Sequence, residues 1–263
     1  MSLVNPGSTG LAGKAILITR PVARAARLAA LVREAGGEPV LFPTLEILSF
    51  SKDSPLLKHD DSMNVIEADI LVFVSPTAVE HGRAVFDALL PVSVKVAAVG
   101  HATARALHAL GLTNVITPGD GADSEALAAL PDMQQVAGRR ILIVRGEGGR
   151  PWLAETLRAR GATVDYLECY RRVRPEADAA PLAARIVSGG IAALTITSRE
   201  ALDNLLAMLP AEARAELHSV PIFVVHPRLA AHACALGWHG AFVTGAGDEA
   251  MIAELQSFFA KVA

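Results

Sequence analysis

The chain has 263 residues, of which 52% are hydrophobic and 19% charged, so it can bury the cores of two domains. Its net charge of −3 at pH 7 argues against a general nucleic-acid binder, which needs a basic face. It shows no apolar run of a membrane span's length, no secretory signal and no cysteine pair with metal-ligand spacing. We therefore expect a cytoplasmic protein without a membrane segment or a metal.

Short apolar runs, each followed by an Ala- and Leu-rich stretch of helical periodicity, recur along the chain. Ala15–Thr19 predicts the first buried strand, Pro21 the first position of the following helix and Gly36 its end. Further strands are predicted at Ile70–Val74, Val94–Val99, Ile141–Val144, Ala162–Leu167, Ala192–Thr197 and Ile222–Val225. Further helices are predicted near Thr77–Leu89, Ala102–Leu110, Trp152–Arg160, Glu200–Met208 and Arg228–Leu236. This alternation is typical of an α/β fold whose parallel sheets are covered on both faces.

The chain also resembles itself, which predicts two similar domains. ILITR at Ile16–Arg20 returns as ILIVR at Ile141–Arg145, and each precedes a predicted helix. Two more pairs of segments repeat at nearly the same offset: Ser75–Glu80 with Ser198–Leu202, and Val99–Gly111 with Val225–Gly237. We therefore expect two open, doubly wound parallel-sheet domains.

Two extended segments are predicted to carry the chain between the halves. Phe42–Phe50 and Glu168–Pro175 are short enough to pair as a two-stranded connector. Such a connector would act as a hinge between two lobes with a cleft between them.

Strong motifs for nucleotide, metal or hydrolase chemistry are missing. There is no Walker A sequence, no HExxH and no GxSxG, and Pro151 stands where a dinucleotide loop needs its third glycine. Small hydroxyl residues do stand near predicted helix starts, at Ser75, Thr103 and Ser198. Helix starts at the carboxyl edge of a parallel sheet bind anions, although each hydroxyl is also explained as an ordinary N-cap.

An ordered set of motifs resembles the uroporphyrinogen-III synthase family from about Lys14 to the C-terminus, with RGxGGR and ECYxR as its most specific members. The motifs are TRP at Thr19–Pro21, FP at Phe42-Pro43, SPTAV at Ser75–Val79, VGHATARAL at Val99–Leu107, SEALAALP at Ser124–Pro131, VRGEGGR at Val144–Arg150, ECYRR ending at Arg172 and ITSREAL at Ile196–Leu202. The resemblance implies a cyclising lyase of porphyrin and heme biosynthesis. Such an enzyme converts hydroxymethylbilane to uroporphyrinogen III, with loss of water and inversion of the last pyrrole ring, and needs no metal or organic cofactor.

The resemblance also implies domain bounds and a site. Residues 1–45 with 172–263 would form a discontinuous first domain and residues 46–171 a second, with the active site in the cleft between them. Tyr170 would act as a general acid on the departing hydroxyl, and the alternative is a tyrosine that only packs at the hinge. Strand alternation would place Glu168, Tyr170 and Arg172 on one face, where Arg172 would steer a substrate carboxylate or simply pair with Glu168. The expected substrate-binding residues are Arg20, Ser75, Thr77, Ala78, Thr103, Arg145, Ser198 and Arg228.

A fold of this kind hosts many functions, so a second hypothesis stays open. It is a non-catalytic two-lobed module that senses a tetrapyrrole or a small anion. For the enzyme we expect a monomer that makes transient contact with the preceding enzyme of its pathway.

Overall fold

The computed structural model describes residues 10–50, 67–82, 94–119, 121, 123–245 and 247–262. The chain divides into two compact units, one drawn from Met1–Glu46 with Val173–Ala263 and the other from Ile47–Arg172. Each unit is built on one sheet that helices accompany, so the predicted α/β class is confirmed. Within the described ranges, no helix combines the length and the apolar character that crossing a membrane requires.

The described elements alternate between strand and helix along most of the chain. The strands are β1 (Ala15–Ile18), β2 (Glu38–Leu41), β3 (Glu46–Ser49), β4 (Ile70–Phe73), β5 (Lys95–Ala98), β6 (Val115–Ile116), β7 (Arg140–Gly146), β8 (Thr163–Val173), β9 (Ala193–Ile196), β10 (Ile222–Val224) and β11 (Ala241–Val243). The helices are α1 (Val22–Glu34), α2 (Pro76–His81), α3 (His101–Ala109), α4 (Ser124–Ala128), α5 (Pro131–Gln134), α6 (Trp152–Ala159), α7 (Ala180–Val187), α8 (Arg199–Met208), α9 (Ala211–Leu217), α10 (Pro227–Ala235) and α11 (Asp248–Val262).

The first unit holds a five-stranded sheet in the order β11-β10-β9-β1-β2, with parallel pairing throughout. Successive residues of β1, which lies between β9 and β2, enter opposite apolar layers, because side chains alternate along a strand. Ile16 and Ile18 pack with residues of α1 and α11, whereas Leu17 packs with residues of α7 to α10. Burial on both faces explains why β1 is apolar at every position.

The second unit holds a six-stranded sheet in the order β3-β8-β7-β4-β5-β6. Parallel pairing joins β8, β7, β4, β5 and β6. Leu71 and Phe73 of β4 enter the apolar layer beneath α2 and α3, and Ile70 and Val72 enter the layer beneath α4, α5 and α6. Both faces of this sheet are therefore covered as well.

The two sheets repeat one topology, which confirms the similar doubly wound sheets that the sequence predicts. The repeated segments match β7 with β1, β4 with β9 and β5 with β10, so the order β8-β7-β4-β5-β6 reproduces β2-β1-β9-β10-β11. In the second sheet the chain runs from β4 outward to β5 and β6 on one side, and from β7 outward to β8 on the other. The carboxyl ends of such a neighbouring pair form the topological switch point, where open α/β sheets bind their ligands.

The placement of β1 beside strands that follow Arg172 is confirmed by its parallel pairing with β9. The chain passes between the units at β3 and at the end of β8, and these strands are neighbours in the second sheet, as predicted for the two-stranded connector. Pro21 is the N-cap of α1 and not its first helical residue, since the helix begins one residue later. Of the helix predicted at Thr77–Leu89, residues 83–89 lie outside the described residues.

Candidate active site

A pocket of about 260 Å³ opens at the switch point of the second sheet, beyond the carboxyl ends of β4 and β7. We call it the Tyr170 pocket. It is lined by Val74, Ser75, Ser124, Ile143, Arg145, Gly146, Gly148, Gly149, Arg150, Leu153, Ala154, Tyr166, Tyr170 and Arg172. Its position is the one at which this topology is expected to bind a ligand.

Tyr170 is buried in an apolar layer but keeps its hydroxyl at a polar edge. Its side chain packs with the layer that contains Leu167 and Cys169, and 7% of the residue is exposed. The Tyr170 Oη lies 3.4 Å from Ser75 Oγ, and the His81 ring centroid lies 5.4 Å from that of Tyr170. On the other side, a Cβ added at Gly146 would lie 2.6 Å from the tyrosine ring. Glycine at position 146 therefore makes the room that the phenol occupies.

An irregularity in β8 sets the direction in which Tyr170 points. Arg145 lies opposite Glu168, but the next residue, Gly146, lies opposite Tyr170, so Cys169 is an extra residue at a β-bulge. Cys169 and Tyr170 are consequently both buried in the same apolar layer. The prediction that strand alternation puts Glu168 and Tyr170 on one face is wrong, because the bulge interrupts the alternation between them.

Arg145 is a buried cation at the carboxyl end of β7. Its side chain is 9% exposed, and its guanidinium carbon lies 4.5 Å from the Tyr166 ring centroid. Its Nε donates to the carbonyl oxygen of Gly146 at 3.1 Å and lies 3.7 Å from Glu168 Oε1. Among the described residues, Nη1 and Nη2 have no hydrogen-bond partner, so both remain available to a ligand in the pocket.

A glycine-rich loop between β7 and α6 forms one wall of the pocket. Gly148 and Gly149 have backbone φ values of +74° and +99°, which residues other than glycine rarely adopt. The Gly148 N–H donates to Glu168 Oε1 at 3.2 Å. A Cβ at Gly149 would lie 2.8 Å from Arg145 Nη2. The loop therefore lies so close to Arg145 that position 149 has no room for a side chain.

An exposed ion pair stands at the pocket. Arg150 donates from Nη1 and Nη2 to the two carboxylate oxygens of Glu125, at 2.9 and 3.2 Å. These hydrogen bonds hold the pKa of Glu125 below its ordinary value. Arg172 also lines the pocket, so three arginines surround it together with Arg145.

The predicted site residues of the second unit fall into two groups. Ser75, Arg145 and Tyr170 come together in the Tyr170 pocket, whereas Thr77, Ala78 and Thr103 lie outside its lining. Ser75 is the N-cap of α2, and its Oγ accepts from the Ala78 N–H at 3.0 Å. The Ala78 N–H is therefore committed to the cap. Thr103 is the third residue of α3 and is 3% exposed.

The other predicted site residues belong to the first unit. Arg20 follows β1 and forms an ion pair with Asp248, the first residue of α11. Ser198 is the N-cap of α8, and its Oγ accepts from the Ala201 N–H at 3.1 Å. Arg228 is the exposed second residue of α10. All three stand at the carboxyl edge of the first sheet, because each follows a strand of that sheet.

Several pocket residues were absent from the predicted set. The glycine and polar residues among them are Ser124, Gly146, Gly148, Gly149, Arg150 and Tyr166. The VRGEGGR motif contains four of them and could have identified the loop. Tyr166 carries no such signal, because only the packing shows that its ring supports Arg145.

Comparison with known proteins shows the family to which this chain belongs. The family model described as uroporphyrinogen-III synthase HemD matches residues 26–253. The chain is 37% identical to the uroporphyrinogen-III synthase of Salmonella typhimurium and 34% identical to that of Escherichia coli, and each alignment covers 92% of this chain and 99% of the relative. A mutant uroporphyrinogen III synthase from Thermus thermophilus superposes with a TM-score of 0.63 at 18% identity, covering 94% of this chain and 98% of that one. The enzyme from Helicobacter pylori gives a TM-score of 0.57 at 11% identity, covering 93% and 99%.

Proposed function

Since the chain belongs to the uroporphyrinogen-III synthase family, we propose that it binds hydroxymethylbilane and reacts it in the Tyr170 pocket. The chain is a cyclising lyase of porphyrin and heme biosynthesis. Its product is uroporphyrinogen III, in which the last pyrrole ring is inverted.

The reaction requires the protein to orient the substrate and to assist the departure of its hydroxyl group. The substrate loses a hydroxyl group and becomes an electrophile, which the last pyrrole attacks through its already substituted carbon. Direct closure without an enzyme gives the type I isomer, so orienting the chain is the larger task. A site with one proton donor and several carboxylate-binding groups meets both demands.

Tyr170 is the general acid in this proposal. Its Oη is at the polar edge of an otherwise apolar environment, 3.4 Å from Ser75 Oγ. Because Ser75 Oγ already accepts from the Ala78 N–H, its own proton is available to the phenol oxygen. Tyr170 can then donate its proton to the departing hydroxyl.

The substrate's carboxylates are recognised by cations and by backbone N–H groups at helix starts. Support comes from Arg145, whose Nη1 and Nη2 have no hydrogen-bond partner among the described residues, and from Ser75 at the start of α2. The remaining proposed contacts are Thr77, Ala78 and Thr103 in the second unit, and Arg20, Ser198 and Arg228 in the first. Arg20 and Ala78 are the weakest of these, because Asp248 pairs with Arg20 and Ser75 Oγ accepts the Ala78 N–H.

We further propose that the enzyme is a cytoplasmic monomer that takes its substrate through transient contact with the preceding enzyme of the pathway. Light scattering at micromolar concentration tests the monomer, which predicts a mass near 27.5 kDa. A dimer mass would contradict it.

The function is tested by supplying hydroxymethylbilane to the purified chain without any added cofactor and separating the product isomers. We expect the type III isomer to exceed the type I isomer that forms without enzyme. A product composition equal to that of the uncatalysed reaction would refute the proposal.

A further inference from the structure

We propose that Arg145 binds a carboxylate of the pyrrole ring that carries the hydroxymethyl group, and that Tyr166 positions its guanidinium for this contact. The inference rests on the proposed function, because it takes Tyr170 as the acid that acts on the hydroxyl. It assigns one ring of the substrate to one residue.

The burial of Arg145 is the first argument. A buried cation is costly unless a carboxylate and hydrogen bonds compensate it. Glu168 lies 3.7 Å from Nε, but among the described residues nothing bonds to Nη1 or Nη2. The side chain is nine-tenths buried and still lines the pocket, so its unpartnered end faces the space a ligand would fill.

The orientation of the guanidinium is the second argument. Its carbon lies over the Tyr166 ring, 4.5 Å from the ring centroid, and Nε donates to the carbonyl oxygen of Gly146. The edge formed by Nη1 and Nη2 is left, and two parallel N–H donors match the two oxygens of a carboxylate. A Cβ at Gly149 would lie 2.8 Å from Nη2, so glycine at position 149 avoids a clash with this edge.

The internal repeat supplies the third argument. In the repeat of ILITR as ILIVR, Arg20 matches Arg145. Arg20 lies two residues beyond the end of β1, and Arg145 is the second-last residue of β7. Arg20 has its carboxylate within the chain, since it pairs with Asp248. At Arg145 the terminal nitrogens meet no such internal group among the described residues. A substrate carboxylate would pair with the guanidinium of Arg145 as Asp248 pairs with that of Arg20 in the first unit.

The size of the pocket decides which ring is bound. At about 260 Å³ it holds only part of a tetrapyrrole. Tyr170 and Arg145 line this same space, so the ring whose hydroxyl reaches Tyr170 is also the ring whose side chain reaches Arg145. The carboxylate of that ring would hold the reacting carbon at the acid.

A cycle of enzyme and substrate changes tests the pairing. The substrates are hydroxymethylbilane, an analogue with alkyl groups in place of the carboxylates on the hydroxymethyl-bearing ring, and an analogue with the same change on the opposite terminal ring. The enzymes are the wild type, Arg145→Gln and the control Arg158→Gln. Arg158 also lies over the Tyr166 ring, at 5.7 Å, but does not line the pocket.

With hydroxymethylbilane, we expect Arg145→Gln to lower kcat/KM by roughly 10–100-fold, as for lost hydrogen bonds to a charged group. The loss should vanish with the first analogue, stay with the second, and be absent in Arg158→Gln. A loss that vanishes only with the second analogue, or no loss at all, would overturn the inference. If the wild type forms no excess of type III isomer, the proposed function fails first and independently.

The positioning role of Tyr166 has a separate readout. Tyr166→Phe keeps the ring beneath the guanidinium, so KM should stay within about twofold of the wild type. Tyr166→Leu removes the cation–π contact and should raise KM several-fold with a smaller effect on kcat. Thermal unfolding of both variants controls for misfolding. Equal KM values for the two well-folded variants would show that Tyr166 does not position Arg145.

Discussion

At the scale of single residues, burial determines what each polar group of the site can do. Tyr170 is buried but has its hydroxyl beside Ser75, and Arg145 is buried but has two nitrogens without a partner in the part of the chain that the structure describes. Cys169 is buried in the same apolar layer as Tyr170 and has no part in the proposed reaction. Its thiol donates to the carbonyl oxygens of Arg145 and Ala78 at 3.3 and 3.7 Å.

Tyr170→Phe removes the proposed acid and keeps the ring that fills the apolar layer. We expect the single-turnover rate to fall by roughly 10²–10⁴-fold, the range of general-acid catalysis, with the unfolding temperature nearly unchanged. The product should still be mainly the type III isomer, because the remaining contacts orient the chain. The matched control is Tyr166→Phe, which alters the chain's other tyrosine in the same pocket. A wild-type rate for Tyr170→Phe would remove Tyr170 from the mechanism.

Cys169 and Cys234 should differ in reactivity. Burial raises the pKa of the Cys169 thiol to about 12, whereas Cys234 is exposed. A thiol reagent at pH 8 should therefore label one cysteine in the folded protein and both after denaturation, because the thiolate is the reactive form. Labelling of Cys169 in the folded state at the rate of Cys234 would contradict this expectation.

The same shift predicts a loss of stability in alkali. The pKa of Cys169 in the folded chain exceeds that of an unfolded cysteine, about 8.5. The stabilisation is therefore complete below about pH 8.5 and declines as the pH rises toward 12, by at most about 1.4 kcal/mol per pH unit. Urea unfolding of the wild type and of Cys169→Ala between pH 8 and 10.5 should show the steeper decline in the wild type.

At the scale of elements, the internal repeat provides pairs of equivalent strand–helix junctions. Ser75 caps α2 after β4, and Ser198 caps α8 after β9, with nearly equal hydrogen bonds to the third residue beyond each. Only Ser75 lines the Tyr170 pocket. The two serines therefore share one structural role and differ in position relative to the proposed reaction.

Ser75→Ala and Ser198→Ala separate capping from function at this pocket. Each should lower the free energy of unfolding by about 1 kcal/mol, since each removes one N-cap. Ser75→Ala should in addition lower kcat/KM modestly, because neighbouring cations and N–H groups still bind the substrate. Near-complete inactivation by Ser75→Ala in a stable protein would instead indicate that its hydroxyl takes part in the chemistry.

At the scale of the whole molecule, we propose that the two units are independent folding domains. Both apolar layers of the second unit are drawn from its own residues. The first unit is discontinuous, because β1 lies between β2 and β9 and the layer beneath α1 and α11 combines both chain segments. The cleft predicted between the two halves stays a prediction.

Fragments of the chain test this division. Glu46–Val173 should unfold cooperatively in urea, because it contains every strand and both layers of the second unit. Val173–Ala263 alone should not fold, since it lacks β1, β2 and α1. Addition of a chain comprising residues 1–45 should restore its structure. A disordered Glu46–Val173 fragment would show that the units do not fold independently.

The sequence by itself determined the features that depend on local patterns, namely the buried strands and the two similar sheets. Apolar runs such as Ala15–Thr19 could only be buried strands, and the repeat of ILITR as ILIVR marked two similar sheets before any contact was known. The motifs also identified the family and three of the residues that meet in the pocket, Ser75, Arg145 and Tyr170. These inferences succeed because periodicity and repeated segments can be read directly from the order of residues in the sequence.

Only the tertiary structure decided how the site residues point. The bulge at Cys169 depends on the register of β8 against β7, and strand alternation within one segment could not reveal it. The burial of Arg145 against Tyr166, and the contact of Gly146 with Tyr170, arise between strands distant in sequence. The charge of Arg20 is balanced by Asp248, 228 residues away, while the repeat alone would treat it as the equal of Arg145. Such differences follow from which side chains packing brings together, and no local pattern encodes that.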